Sequence, residues 1–348
     1  MHKHEALDMY KISISLFLLG VFIISGCASK GSGRPDWIYG NSSKYPPAKY
    51  LSGKGQDKYQ AVARDRARAD LAKIFEVRIQ EQSEDSTRAN RQTADDKTSL
   101  KLEASVSRNI STRTDQIVSG IEIAETWHDK ARNQFHVLAV LDRMKAGNIL
   151  RDSIDRLDDV TGQAIRRARQ SDNLLRKIGL AHTALQAQLE REIYAKQLKI
   201  VDYSGRGLSS PYNLATLASD RDALLKRLSI RTRISADPLG GLDDILKAAI
   251  SAAGFTPVSD GKAGYILDAK LVLNENKDAQ GWYWQRGTLE INLIQTGSKQ
   301  AQGSKRWNIK ESSQNRAISK KRVRDRIDKI LETELRKTII SFGSTESP

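Results

Sequence analysis

The 348-residue sequence contains a single cysteine, so no internal disulfide can form and Cys-rich zinc sites and CxxC redox pairs are excluded. Histidine is nearly as scarce at five residues, and His128, His136 and His182 are spread over segments that read as a hairpin, a strand and a helix. Aromatics make up only 6% of the chain, so each tryptophan carries information about a core or a contact. No apolar run reaches the roughly 20 residues that a spanning helix needs. HExxH, GxSxG and P-loop motifs are absent. Three G-x-G fragments (Gly31/Gly33, Gly53/Gly55, Gly205/Gly207) lack the third glycine of a dinucleotide loop and read as linker or turn. The one S-x-x-K, Ser259 to Lys262, holds Asp260-Gly261 between strand patterns, which reads as a hairpin turn rather than an activated serine. These absences predict a non-enzymatic protein without cofactor or metal.

What is present is charge. Lys+Arg number 57 against Asp+Glu 42, a net +15, and 28% charged with 39% hydrophobic residues describes a folded, water-exposed body. The length accommodates two or three domains.

Near the N-terminus, Ile12 to Ile24 is an uninterrupted apolar and small run. At about 1.5 Å per residue it is too short to cross a bilayer and reads as a signal-peptide core. Met9-Tyr10-Lys11 before it makes a conventional leader start, with translation expected from Met9. The residues that follow, Ile24-Ser25-Gly26-Cys27, look like a bacterial lipobox, in which the cysteine is lipidated and becomes the mature N-terminus. A lipid on Cys27 accounts for the lone thiol and anchors the chain firmly. Position 28 is Ala rather than Asp, and the resemblance then implies the outer membrane, periplasmic face.

Ala28 to Lys49 is rich in Gly, Ser, Pro and Lys and reads as a flexible tether. Trp37 within it is expected to dock on the first domain as a strap, in preference to touching the membrane interface. A strand ending in glycines, Tyr50 to Gly55, precedes a helix over about Gln56 to Phe75, with Ala63, Ala67, Leu71 and Ile74 on one face. Small residues there permit close approach to a sheet. Glu76 to Thr114 is polar and reads as long solvated strands or a helix–strand mixture. Ile117 to Trp127 and Gln134 to Leu141 read as strands joined by a polar hairpin.

These residues resemble the lipoprotein-20 family of bacterial outer-membrane lipoproteins. The match rests on Pro35-Asp36-Trp37, on Tyr50-Leu51-Ser52-Gly53-Lys54-Gly55, on the alanine-spaced helix from Ala61 to Ala72, and on the hairpin. It extends from about Pro35 to Arg143. The resemblance implies an envelope lipoprotein, flagellum-associated in some members, and supplies no catalytic residue.

From Met144 to about Val201 the apolar period is helical, with Leu150, Ile154, Leu157, Leu175, Ile178, Leu185 and Leu189 in rhythm. One straight helix would run about 87 Å. Gln170-Ser171-Asp172-Asn173 offers a break and an N-cap, which predicts an antiparallel helical hairpin. A third helix is expected over Asn213 to Leu228. Packing within the chain is favoured over self-association, though a homo-oligomer stays open.

The last unit reads strand (Ser229 to Ser235), helix (Leu242 to Ala253, closed by Gly254), strands (Tyr265 to Leu273, Trp282 to Ile294, Lys305 to Lys310) and helix (Asn315 to Ile340). That order predicts a helix-covered, mostly antiparallel sheet. The fold class expected is therefore α+β: two small helix-on-sheet domains joined by an α-helical hairpin. The boundaries are 1–26 signal peptide, 27–49 tether, 50–143 N-terminal domain, 144–228 helical hairpin region and 229–343 C-terminal domain.

Two features mark candidate partner-binding residues. Trp282 and Trp284 sit two apart on one predicted strand and share a face, so they either pack beneath the closing helix, the favoured reading, or present paired indoles to a partner. Nine basic residues lie between Lys305 and Arg326 against Glu311 and Asp325, with Lys320, Lys321, Arg322 and Arg324 at the centre. This run is either a solvated helix face or a patch for an anionic partner. Behind a lipobox nucleic acid is excluded, which leaves an envelope protein, anionic lipid or cell-wall polymer. Two functional expectations follow: a lipid-anchored binding or scaffolding protein in envelope assembly, or a regulator docking on a cell-wall synthase through the C-terminal domain.

Overall fold

The computed structural model describes residues 33–93, 120–259 and 263–344, with 79–93 as backbone only. The signal peptide, Cys27, Ala28 to Ser32 of the tether and residues 260–262 of the S-x-x-K turn lie outside the described residues, as does the segment 94–119. The described chain is α+β, as expected, with six helices and two sheets.

The first sheet is built from β1 (Tyr50–Asp57), β2 (Glu122–Asp129) and β3 (Gln134–Asp142), all antiparallel, in the order β1-β3-β2. Helix α1 (Gln60–Thr93) covers one face. Its approach is set by two glycines of β1. A Cβ on Gly53 would lie 2.6 Å from the Ala67 carbonyl and the Leu71 amide, and one on Gly55 would overlap Ala63 O and Ala67 N. Strand backbone therefore rests directly on helix backbone, with Ala63, Ala67, Leu71 and Phe75 buried in the seam. The Gly53/Gly55 fragment is thus a strand-to-helix contact, not the turn it suggested. Past Phe75 the helix continues to Thr93, in a segment whose sequence reads as long strands or a helix–strand mixture. Glu, Gln, Arg and Ala there favour helix intrinsically, but no apolar stripe marks it.

The other face of this sheet is closed by the strap. Trp37, in a single 3-10 turn (Asp36–Ile38), is 1% exposed and packs on Leu138 and Val140 with Tyr45, Tyr50 and Trp127 around it. Its indole N–H donates to Glu125 Oε2 at 2.6 Å. Ser43 donates twice to Asp36, Lys54 Nζ donates to Gly40 O at 2.7 Å, and Arg143 donates to Pro47 O at 2.8 Å. Residues 33–49 are therefore part of the folded unit rather than flexible tether.

Helices α2 (Arg143–Gln170) and α3 (Leu174–Val201) form the expected hairpin, broken where the sequence placed the break, with the Asn173 side chain capping α3. The hairpin is not a spacer. Helix α3, about 42 Å long by its rise, enters both cores: Leu175 and Ile178 pack with the C-terminal sheet, while Ile193, Leu198, Ile200 and Val201 pack with the N-terminal one. Arg191, 2% exposed, makes a forked bond to Asp158 (2.9 and 3.0 Å) and donates to Ser209 O, which holds the following loop to the hairpin. Helix α4 (Leu214–Arg227) is capped by Asn213.

The second sheet has the order β5-β4-β6-β7-β8, from β4 (Ser229–Ala236), β5 (Thr256–Pro257), β6 (Tyr265–Lys277), β7 (Tyr283–Gln295) and β8 (Ala301–Ser313). The three long strands are antiparallel, but β4 joins β5 and β6 in parallel, because α5 (Leu242–Ala252) carries the chain across. Helices α5 and α6 (Arg316–Ser344) cover one face of this sheet. Helix α6 also meets α3 at a glycine crossing, since a Cβ on Gly343 would overlap Leu175 O and one on Gly179 would overlap Gly343.

Candidate functional site: the open face of the C-terminal sheet

Strand alternation sorts the second sheet into two faces. Tyr265, Leu267, Ala269 and Leu271 of β6, Leu289, Ile291 and Leu293 of β7, and Trp307 and Ile309 of β8 point into the core beneath α5 and α6. Residues of opposite parity form the second face. No helix or strap among the described residues covers it, and Lys270, Val272, Arg286, Arg306, Asn308 and Lys310 are exposed. The face carries six basic residues (Arg231, Arg233, Lys270, Arg286, Arg306, Lys310) against Asp268 and Glu290.

Part of this charge is neutralised. Arg306 forks onto Glu290 (3.0 and 2.6 Å), and that contact, together with the Asn292 amide, holds the Glu290 carboxyl below its ordinary range. Arg233 donates to Asp268 at 3.0 Å. The other end of the face is not neutralised. Arg286 and Lys310 are direct cross-strand partners on β7 and β8. Like charges opposite each other on one face cost stability, and neither side chain has a carboxylate partner among the described residues. Both instead lie over the Trp284 ring, at 5.1 and 5.5 Å from its centroid. The indole is pinned by its N–H to Asp278 Oδ2 at 2.8 Å. This bond, and then the Trp282 amide, keep the Asp278 carboxyl below its usual pKa. The result is a fixed aromatic platform with two cations and an uncovered ladder beside it, chemistry suited to a phosphate, carboxylate or polyanionic surface.

The residues singled out by sequence are distributed differently. Trp284 faces away from the helices, so packing beneath the closing helix, the favoured reading, does not hold for it; Trp307 takes that place, shielded by α6 and donating to Glu334 at 2.9 Å. Trp282 lies just before β7, in the turn where its amide donates to Asp278 Oδ1 at 2.9 Å. Lys320, Lys321, Arg322 and Arg324 are on α6, in the layer opposite the open face. At 100° per residue Lys320, Lys321 and Arg324 fall within one arc of about 100° on the helix, and Arg322 points away from it. Arg322 donates to Ser312 O at 2.6 Å, and Arg324 to Leu239 O and Gly240 O, so both fasten α6 to its neighbours. The basic run is therefore split: Arg306 and Lys310 reach the open face and the helical residues do not. Sequence reading missed Arg231, Arg233, Lys270 and Arg286, whose signal was their shared outward parity on strands distant in sequence. His128, His136 and His182 do not converge either. His128 stacks on Phe135, His136 lies beside Trp127, and His182 is in α3.

Residues 35–142 match the model of the LPP20 lipoprotein family, the region and the family that the N-terminal motifs suggested. No curated protein matches the sequence. Among solved structures, the secreted protein HP1454 from Helicobacter pylori overlaps 82% of this chain and 97% of its own at 13% identity and a TM-score of 0.42. A minor lipoprotein from Acinetobacter baumannii covers 34% of this chain and 90% of its own (14% identity, TM-score 0.24). The PelC dodecamer from Paraburkholderia phytofirmans covers 34% and 87% (10%, 0.22). Scores at this level transfer neither fold nor function.

Proposed function

We propose that the chain is a non-enzymatic lipoprotein, anchored through Cys27 to the periplasmic face of the outer membrane, that binds an anionic envelope component through the open face of its C-terminal sheet. The LPP20 match supports the lipoprotein part of this reading, and the lipobox supplies the anchor. The observation that carries the binding part is the Arg286–Lys310 pair on Trp284, two cations held opposite each other with no carboxylate between them. An external anion would relieve that repulsion. In the envelope, cell-wall polymer, anionic headgroups and acidic protein surfaces all meet the requirement; the extended ladder, uncovered along three long strands, favours a polymer or a protein over a single headgroup.

The test is co-sedimentation of the full chain carrying Cys27→Ser with purified peptidoglycan sacculi and, separately, with anionic phospholipid vesicles. Binding to sacculi that falls roughly tenfold or more in the Arg286→Glu/Lys310→Glu variant, while Lys320→Glu/Lys321→Glu stays near wild type, supports the reading. Equal loss in both variants, or none in the first, removes the open face from it.

A further inference from the structure

A second concavity lies away from the sheet, between α2, α3 and α4, with a volume of about 470 Å³. This falls within the range of small-molecule sites, roughly 300–1,000 Å³. Its floor is made by Ile165 and Ala168 of α2, Ala181 and Ala184 of α3, and Leu217 and Leu224 of α4. Alanines at the α3 positions keep the groove open where larger residues would fill it. Pro211 and Tyr212 close one end, the Tyr212 hydroxyl lying against Gly162.

The other end, at the hairpin turn, is cationic. Arg169, Lys177 and Arg227 line it, with Asp220 the one carboxylate along the wall. None of the three basic side chains hydrogen-bonds or ion-pairs among the described residues. Arg169 and Arg227 stand at helix C-termini, where the dipole favours a cation, but Lys177 stands in the first turn of α3, where it does not. Helix electrostatics therefore leave Lys177 unexplained, and an anion at the mouth would account for all three.

We infer that this groove binds a single-chain anionic amphiphile, its acyl chain on the apolar floor and its carboxylate or phosphate among Arg169, Lys177 and Arg227. The site is separate from the open sheet face, and its failure would leave that reading untouched. Oleate and lysophosphatidylglycerol carry the two headgroup chemistries, and monoolein is the neutral control of similar chain.

The test uses the full chain carrying Cys27→Ser, so that no attached acyl chain competes, purified without detergent and titrated with each compound below its aggregation concentration. Saturable one-to-one binding of an anionic compound is expected, with monoolein roughly tenfold weaker or worse. Lys177→Glu/Arg227→Glu, at the mouth, should weaken the anionic ligand by a similar factor and leave monoolein unchanged, with the circular dichroism of the wild type. Ala181→Phe should block every ligand that binds. A preference for oleate or for lysophosphatidylglycerol identifies the headgroup source. Equal binding of all three compounds, indifference to the charge reversal, or no saturable binding would overturn the inference.

Discussion

The two sheets of this protein are treated in opposite ways. The three-stranded N-terminal sheet is covered twice, by α1 on one face and by the Trp37 strap on the other. Among the described residues the five-stranded C-terminal sheet is covered once, by α5 and α6, and nothing packs on its second face, which carries basic residues in excess. A sheet that spends an aromatic strap on closing itself is built for stability and anchoring. One that leaves like charges opposed on an open ladder, where a single acidic residue would settle them, is the face that the proposed function assigns to a partner.

The comparison can be broken most severely at the glycines of β1. Gly55→Val places side-chain atoms where Ala63 O and Ala67 N already are, so the N-terminal unit should fail to fold, read as loss of its cooperative thermal transition. Next in size is Trp37→Ala, which converts the closed sheet into an open one and should cost about 3–5 kcal/mol in denaturant titration. A near-neutral result would mean that the strap is incidental.

On the open sheet the expected sign reverses. Lys310→Glu turns the like-charge pair with Arg286 into an attractive one and should raise stability by about 0.2–1 kcal/mol while lowering affinity for an anionic partner. Lowered stability would show that the pair is already satisfied. The smallest effect concerns the turn that fixes Trp284. The Asp278 carboxyl sits below its ordinary 3.8 in the fold because the Trp284 and Trp282 N–H groups bond its charged form. Its contribution is therefore present above that pH and lost as pH falls below it. Tryptophan emission should change below pH 3.8 in the wild type, and the Trp284→Phe variant should lack the part of that change contributed by the Trp284 indole.

Local signals made much of this architecture legible in the sequence. Asn173 and Asn213 cap their helices where the pattern broke, Gly254 ends α5, and the antiparallel strands fall close to their predicted runs. What escaped depended on partners far along the chain. Helix α3 reads as half of a hairpin, yet its two ends belong to different cores. Gly179 and Gly343 show no local reason to be glycine until they meet. The basic run from Lys305 to Arg326 is contiguous in sequence but not in space; a strand and a helix in different layers divide it. The open face is the converse case, assembled from β4, β6, β7 and β8.

The central claim is that the uncovered sheet, rather than the helix-covered N-terminal unit, meets the partner. In-cell photo-crosslinking addresses it directly, with a crosslinking residue at Thr288 or Asn308 on the open face and, for comparison, at Arg64 or Arg68, exposed on α1 beside β2. The account predicts a discrete adduct from Thr288 and Asn308 that disappears with Arg286→Glu/Lys310→Glu, and none from α1. Adducts formed from α1 and absent from the open face would contradict it.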